Sequence, residues 1–152
     1  MRTLAIDLGA RRVGLALSDE GAKFATPIEV VSVTSPDQAL APILNLIRKE
    51  SVQRLVVGLP LNMDDSVGDA ARKTVAWARR LSSESGLPIV FVDERLSSFA
   101  AEQRLAERKR GGERMTRGDK KQRLDALAAA GFLKEFLDGK LAAIETSSVD
   151  AD

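Results

Sequence analysis

The sequence predicts an α/β fold in which a mixed five-stranded sheet carries helices on both faces. Three short apolar segments, separated by turns of a few residues, open the chain, and such short connections require antiparallel neighbours. Helical periodicity then alternates with apolar segments, so that helical crossovers bring the later strands back parallel to the first. The predicted order is β-β-β-α-β-α-β-α-α.

The antiparallel part of the sheet is predicted at the start of the chain. Thr3 to Leu8 is predicted to be a buried strand, Gly9 to Arg12 a turn, and Val13 to Ser18 the returning strand. A third strand is predicted from Ala25 to Val33. Because this strand contains Pro27, which cannot donate a ladder hydrogen bond, we expect it at an edge of the sheet.

The first helix is predicted to begin at Ser35-Pro36-Asp37-Gln38. This segment offers a capping serine, a proline in the first turn and a glutamine at the third helical position. Apolar residues follow at helical spacing as far as Ile47. Pro42 indicates either a kink or a later start of the helix.

The parallel part of the sheet is predicted from two further apolar segments. Arg54 to Leu59 is a strand closed by Pro60, and a second helix follows from about Gly68 to Ser83. Pro88 to Val92 is a continuous apolar strand that leads directly into Asp93 and Glu94.

The last third of the chain is predicted to be helical apart from one loop. A third helix is expected from Ser97 or Ser98 to about Arg108, and a loop from Arg110 to Gly118. A final helix is expected from Asp119 to about Leu137, ended by Gly139. We therefore expect one domain over residues 1–138 and a disordered tail over residues 139–152.

The composition excludes several classes of enzyme. The chain has 152 residues with no cysteine, no histidine and no tyrosine. Ser-His-Asp and Cys-His catalysis are therefore excluded, and a zinc site would lack its favoured ligands. An active site would depend on Asp, Glu, Lys and Arg, and its metal would be a hard divalent cation such as Mg²⁺ or Mn²⁺. The absence of cysteine and of any apolar stretch long enough to span a membrane favours a cytoplasmic protein without membrane contact.

One segment is strongly basic although the whole chain has a net charge of only +1. Between residues 104 and 123 there are nine basic and three acidic residues. This pattern indicates either a local contact with a polyanion or a solvated charged loop. The few aromatic residues lie mostly in apolar runs, so recognition of a nucleic acid would use backbone charge and shape rather than base stacking.

Polar residues follow the strands that point the same way in the predicted sheet. Asp7 lies near the end of the first strand, Asn62 follows the fourth, and Asp93 and Glu94 follow the fifth. Ligands bind at the carboxyl ends of such strands. Taken alone, Asp7 is as well explained as a turn cap, and Glu94 as the partner of Arg95.

Asp125 favours a functional interpretation. It stands in the otherwise apolar run Leu124 to Leu133, and Ala128, Ala129 and Phe132 are its helical neighbours. A carboxylate among such residues needs a cation, a metal or a proton. A salt bridge to Lys121 or Arg123 would suffice. If Asp125 instead joins Asp7 and Glu94, a divalent ion is needed to offset the repulsion of three like charges.

The chain resembles the YqgF (RuvX) family, relatives of RuvC within the RNase H-like superfamily. The resemblance covers about residues 1–137 and is carried by four segments in order. They are Ile6 to Ala16, Val57 to Asp64, Val92 to Ser97 and Leu124 to Ala129. Asp65 departs from the family pattern, which often has glycine after the Asn-Met-Asp stretch.

The resemblance implies an RNase H-like fold and a nuclease, a hydrolase acting on ester bonds, that trims the 5′ end of the precursor of 16S ribosomal RNA in ribosome biogenesis. An older assignment for the family is Holliday junction resolution, so branched DNA is the alternative substrate. Carried over, Asp7, Glu94 and Asp125 would be the catalytic, metal-binding acids, and Asp93 could share the role. We expect a monomer or a homodimer.

Basic and polar residues near these acids are expected to bind the substrate. They are Arg11, Arg12, Asn62, Arg95, Lys109, Arg110, Arg114, Lys120 and Lys121.

Two other functions remain open. An actin-like ATPase or kinase also has an Asp-x-Gly segment before a hairpin, but clamps its nucleotide between two such lobes, and 152 residues provide one. A non-catalytic module that binds RNA or a transcription factor would keep the fold without needing all three acids.

Overall fold

A computed structural model describes residues 1–62, 64, 66–96 and 117–144, except the side chains of 96 and 117–125. The predicted third helix, from Ser97 or Ser98 to about Arg108, lies outside this part of the chain. Most of the predicted loop from Arg110 to Gly118 lies outside it as well. No helix among the described residues is both long and apolar enough to cross a membrane.

Five strands form one mixed sheet, as predicted. The strands are β1 (Thr3–Leu8), β2 (Arg12–Ser18), β3 (Ala25–Ser32), β4 (Arg54–Leu59) and β5 (Ile89–Asp93). Their spatial order is β3-β2-β1-β4-β5. β2 is antiparallel to both β1 and β3, whereas β4 is parallel to both β1 and β5. β3 occupies an edge, where Pro27 requires no ladder partner on its outer side.

Three helices in the described part of the chain cover the two faces of the sheet. They are α1 (Leu40–Lys49), α2 (Asp69–Ser85) and α3 (Arg117–Leu137). α1 and α2 pack with Leu4, Ile6 and Val57 in the larger core. The smaller core on the opposite face joins Ala5 and Val56 to the α3 residues Ala129, Phe132 and Leu133. Alternate residues of β1 and β4 therefore serve opposite faces.

The first helix begins later than the capping pattern predicts. Pro36–Ala39 form a 3-10 turn before α1, and the Ser35 side chain makes no capping hydrogen bond. The Gln38 side chain instead accepts a hydrogen bond from the backbone N–H of Thr34 at 2.8 Å. Pro42 is the third residue of α1, a position that tolerates proline because N–H groups of a first turn have no partner within the helix.

The two ends of α3 correct one prediction and confirm another. α3 begins at Arg117, inside the segment predicted as a loop. Gly139 has a positive φ of 77°, and the N–H of Lys140 donates to the carbonyl of Glu135 at 2.8 Å, so the helix ends as predicted.

Residues 141–144, which fall within the predicted disordered tail of residues 139–152, contact the rest of the domain. Leu141 is buried in the smaller core, and the N–H of Ile144 donates to the carbonyl of Phe91 at 2.7 Å. This bridge adds a backbone partner to the outer edge of β5. A single buried side chain, Leu141, and a single bridge, at Ile144, produce no periodic pattern in the sequence, so the sequence does not predict them. Residues 145–152 lie outside the described part.

Candidate active site

The carboxyl ends of β1, β4 and β5 share one edge of the sheet, as their parallel pairing requires. Asp7 is the penultimate residue of β1, half-buried, with Gly14 of β2 as its register partner. Strand alternation places Asp7 on the same face as Ala5, which packs under α3. Asp7 therefore lies at the shared edge and on the α3 face.

Glu94 begins a 3-10 turn directly after β5, and its carboxylate also lies on the α3 face. A β-carbon on Gly58 of β4 would lie 2.7 Å from Oε2 of Glu94 and 3.2 Å from a ring carbon of Phe132 on α3. The strand, the carboxylate and the helix therefore converge at Gly58. Ile6 and Val57 are register partners, and Asp7 and Gly58 come one residue later on their strands. Asp7 and Glu94 thus flank the same recess.

Asp125 belongs to the helix that closes this recess. Its backbone lies in α3, one turn before Ala129 and about two turns before Phe132, both of which are buried against the sheet. Its side chain lies outside the described residues, so its part in the acidic centre stays a prediction.

Asp93 lies on the opposite face from Glu94. Its register partner is Leu59, which belongs to the core beneath α1 and α2. Asp93 is 6% exposed. Its carboxylate accepts hydrogen bonds from Nε of Arg95 at 3.0 Å and from Nη2 of Arg95 at 2.8 Å. These bonds from the guanidinium hold the pKa of Asp93 below its ordinary value, against the opposing effect of burial.

The loop after β4 is closed by its own side chains. Asn62 donates through its backbone N–H to the carbonyl of Ser66 at 3.0 Å and through Nδ2 to Oγ of Ser66 at 2.9 Å. The Ser66 hydroxyl donates to Oδ1 of Asp64 at 2.5 Å, and this bond lowers the pKa of Asp64. A β-carbon on Gly68 would lie 2.9 Å from Nδ2 of Asn62, so the loop also packs closely on itself.

Asn62 and Arg95, both expected to bind substrate, contact each other. Nη1 of Arg95 donates to the backbone carbonyl of Asn62. Asn62 is exposed and Arg95 is half-buried. The fifth strand and the loop after the fourth are therefore joined beside Glu94.

The β1–β2 hairpin forms a concave surface next to Asp7. It is lined by Gly9, Ala10, Arg11 and Arg12. The N–H of Gly9 donates to the carbonyl of Arg12 at 2.8 Å, and a β-carbon on Gly9 would lie 2.7 Å from that oxygen. Arg11 is exposed and Arg12 is half-buried. The turn thus presents at least one arginine to solvent near the acidic edge.

The expected basic contacts fall largely beyond the described part of the chain. Lys109, Arg110 and Arg114 lie outside it. Lys120 and Lys121 belong to the first turns of α3, but their side chains lie outside it as well.

Gly58, Ser66 and Gly68 were not predicted to be part of the site. A glycine inside a predicted strand, as in Val57-Gly58-Leu59, indicates a close approach by another group and could have identified the recess. Ser66 has no comparable signal, since its role depends on the closure of the loop.

The donor chemistry of the recess fits a hard divalent cation. Asp7 and Glu94 supply carboxylate oxygens, the ligands that Mg²⁺ and Mn²⁺ prefer, and Gly58 leaves room for one of them. Among the described side chains, no three acidic residues form a group able to hold a metal. Asp125, whose side chain lies outside the described residues, is the predicted source of a third carboxylate.

The chain is similar to one described family over nearly all of its length. A family model described as "RuvX: Holliday junction resolvase" matches residues 1–139. Relatives from Anaeromyxobacter sp. (strain Fw109-5) and Acidiphilium cryptum (strain JF-5) are both named "Putative pre-16S rRNA nuclease". The first is 45% identical over 140 residues, which cover 92% of this chain and 98% of the relative. The second is 40% identical over 137 residues, which cover 90% and 84%.

Two solved structures of RuvC from Thermus thermophilus have a similar fold. One is a complex with a Holliday junction substrate; it has a TM-score of 0.57, is 17% identical, and the alignment covers 95% of this chain and 99% of that one. The other has a TM-score of 0.55, is 20% identical, and covers 95% and 100%. At such identities the similarity shows the RNase H-like fold.

Proposed function

The chain belongs to the RuvX family, and on that premise we propose that it is a metal-dependent nuclease whose acidic centre is Asp7, Glu94 and Asp125. The observation that carries the proposal is the recess at Gly58, where Asp7 and the Glu94 carboxylate flank one site beneath α3. α3 also carries the backbone of Asp125. Three acids from distant parts of the sequence would then converge on one point.

The reaction is hydrolysis of a phosphodiester bond. In this hydrolysis water forms the new bond to phosphorus while the bond to the leaving sugar oxygen breaks, and the chain has no cysteine, histidine or tyrosine to serve as the nucleophile instead. Mg²⁺ or Mn²⁺ held by Asp7, Glu94 and Asp125 would activate that water and stabilise the developing charge.

The basic residues bind the substrate backbone. Arg11, exposed on the hairpin beside Asp7, would contact a phosphate next to the cleaved bond. Lys109, Arg110, Arg114, Lys120 and Lys121 add positive charge before Asp125 in the sequence. Contacts of this kind hold the backbone without reading the base sequence.

The substrate we favour is the precursor of 16S ribosomal RNA, cut near its 5′ end in the cytoplasm. The support for this choice is the name shared by relatives 40% and 45% identical over most of their length. A four-way DNA junction is the second candidate, supported by the family description and by the fold shared with RuvC.

Cleavage of a 5′-extended ribosomal RNA precursor and a four-way DNA junction, assayed in parallel, tests the proposal. Each substrate is incubated with Mg²⁺, Mn²⁺ or EDTA, beside the Asp7→Asn variant. We expect metal-dependent cleavage of the RNA by wild type and none by the variant. Cleavage of the junction alone would select the resolvase, and tight binding without cleavage of either substrate would indicate a binding module.

A further inference from the structure

We propose that Arg95 is a positioning residue that fixes the orientation of Glu94 and ties the loop after β4 to the active site. This inference rests on the nuclease function proposed above. It assigns Arg95 a role other than direct contact with the substrate. We call the group formed by Asp93, Arg95 and Asn62 the Arg95 clamp.

One end of the Arg95 clamp encloses Glu94. The Asp93 carboxylate accepts three hydrogen bonds from Arg95: from its backbone N–H at 3.1 Å, from Nε at 3.0 Å and from Nη2 at 2.8 Å. Glu94 is the residue between them, so its backbone is held inside a closed ring. Two parallel bonds from a planar guanidinium to a carboxylate are strongly directional.

The carboxylates of the adjacent residues Asp93 and Glu94 have separate surroundings. Asp93 is 6% exposed on the α1 and α2 face, while Glu94 lies against Gly58 and Phe132 on the α3 face. The bond from Arg95 to Asp93 therefore fixes the turn from the face opposite the site. Because the Glu94 carboxylate lies close to Gly58, in the space that a side chain there would fill, a small rotation of the turn would displace that carboxylate.

The other end of the Arg95 clamp holds the loop after β4. Nη1 of Arg95 donates to the carbonyl of Asn62. Asn62 is bonded to Ser66 through both its backbone and its side chain, so this contact is linked to Ser66 as well as to Asn62. The turn that carries Glu94 and the loop would consequently move together.

Arg95→Lys tests the positioning role by separating kcat from KM. Lysine keeps the positive charge but loses the planar fork. We expect kcat to fall about 10- to 100-fold, the usual effect of removing a group that orients a metal ligand. KM should change less than kcat does, because Arg95 itself does not contact the substrate in this assignment. A raised KM with unchanged kcat would make Arg95 a substrate contact and overturn the proposal, as would no change in either.

Two further variants show whether the effect passes through Asp93. Asp93→Asn keeps an oxygen that can accept the backbone bond but loses the charge and the second acceptor. Its kcat should fall about as far as that of Arg95→Lys, and the double variant should be no worse, since both changes break one unit. If the double variant lost kcat by the product of the two single losses, the proposal would be contradicted. Arg80→Lys is the matched control, because Arg80 is an arginine on α2 that forms ion pairs with Asp37 and Glu84.

A second measurement does not require activity. The backbone N–H of Asn62 donates to Ser66, so its hydrogen-exchange rate reports closure of the loop. We expect faster exchange in Arg95→Lys and no change in Arg80→Lys. Unchanged exchange in Arg95→Lys would overturn the tie between Arg95 and the loop. If wild type cleaved neither substrate, the nuclease function would be refuted. The exchange rate of the Asn62 N–H would still show whether Arg95 holds the loop.

Discussion

A β-carbon placed on Gly58 would lie 2.7 Å from Oε2 of Glu94, well inside van der Waals contact. On the other side, the same β-carbon would lie 3.2 Å from the ring of Phe132, which is fully buried. Neither neighbour can move away without disturbing the site or the smaller core. Gly58 therefore determines where the Glu94 carboxylate can lie.

Gly58→Ala should reduce cleavage more than it reduces stability. Displacing a catalytic group by about 1 Å can lower the rate by about 100-fold, whereas an added methyl group in a packed site costs about 1–3 kcal/mol. Steady-state cleavage and urea denaturation of the same preparation measure the two effects. Gly21→Ala, in an exposed turn, is the control and should leave cleavage unchanged. Full activity in Gly58→Ala would show that the recess does not constrain Glu94.

Asp7→Asn should abolish cleavage without unfolding the protein. If Asp7, Glu94 and Asp125 repel one another in the absence of a metal, removing one charge should not lower the free energy of unfolding in EDTA. Activity assays combined with thermal unfolding in EDTA and in Mn²⁺ would measure both. A variant markedly less stable than wild type in EDTA would contradict the predicted repulsion.

Reversing the charge of Lys109, Arg110, Lys120 and Lys121 should weaken RNA binding and flatten its dependence on salt. For single-stranded RNA, the slope of log K against log salt should fall by about 0.7 for each phosphate that the variant no longer neutralises. Binding titrations at several salt concentrations measure this slope. An unchanged slope would exclude these four residues from the interface.

Ser66→Ala should raise the pKa of Asp64 toward its ordinary value of 3.8, because the Ser66 hydroxyl is the main cause of the lowered pKa. A lowered pKa in the folded state means that the ionised carboxylate stabilises the loop above its ordinary pKa. That contribution is lost as the pH falls through the lowered value. Carboxyl NMR titration measures the change.

Asp19 is the internal control for that titration. Its pKa is lowered by the backbone N–H of Phe24, at 2.8 Å, and by that of Lys23. Its titration should be the same in Ser66→Ala and wild type. A constant pKa for Asp64 would mean that the hydroxyl does not bond to it in solution.

Leu141→Ala should lower the free energy of unfolding by about 2–4 kcal/mol, the usual cost of removing a buried leucine side chain. Leu141 is 4% exposed and packs in the core under α3. Urea denaturation measures the loss, with exposed Lys140→Ala as the control. Equal stability of the two variants would contradict the packing of Leu141 in this core and favour the predicted disordered tail.

The sheet could be predicted from the sequence because each strand carries its own signal. β1 and β4 have the predicted bounds, Thr3–Leu8 and Arg54–Leu59, since apolar runs closed by Gly9 and Pro60 are local features. The direction of each strand followed from the length of its connections. The position of Asp7 and Glu94 at one edge followed in turn.

The sequence could not distinguish the roles of Asp93 and Glu94. They are adjacent acids at the end of one strand, and their difference depends on register with β4. Asp93 pairs with Leu59 and so lies on the α1 and α2 face, whereas the Glu94 carboxylate lies next to Gly58 on the α3 face. Loop closure through Ser66 was equally inaccessible, because it depends on hydrogen bonds that no periodic pattern records.

The alternation at the end of β5 constrains its length. Asp93 and Glu94 differ by one methylene group, yet a slip of one residue against β4 would exchange the faces on which they lie. Asp93, the shorter acid, would then enter the recess. Glu94, the longer one, would be buried on the other face, away from the Arg95 guanidinium. A single-residue insertion or deletion between residues 89 and 93 should consequently be more damaging than most substitutions there. Only a second insertion or deletion that compensates for the first would return the side chains of β5 to their original faces.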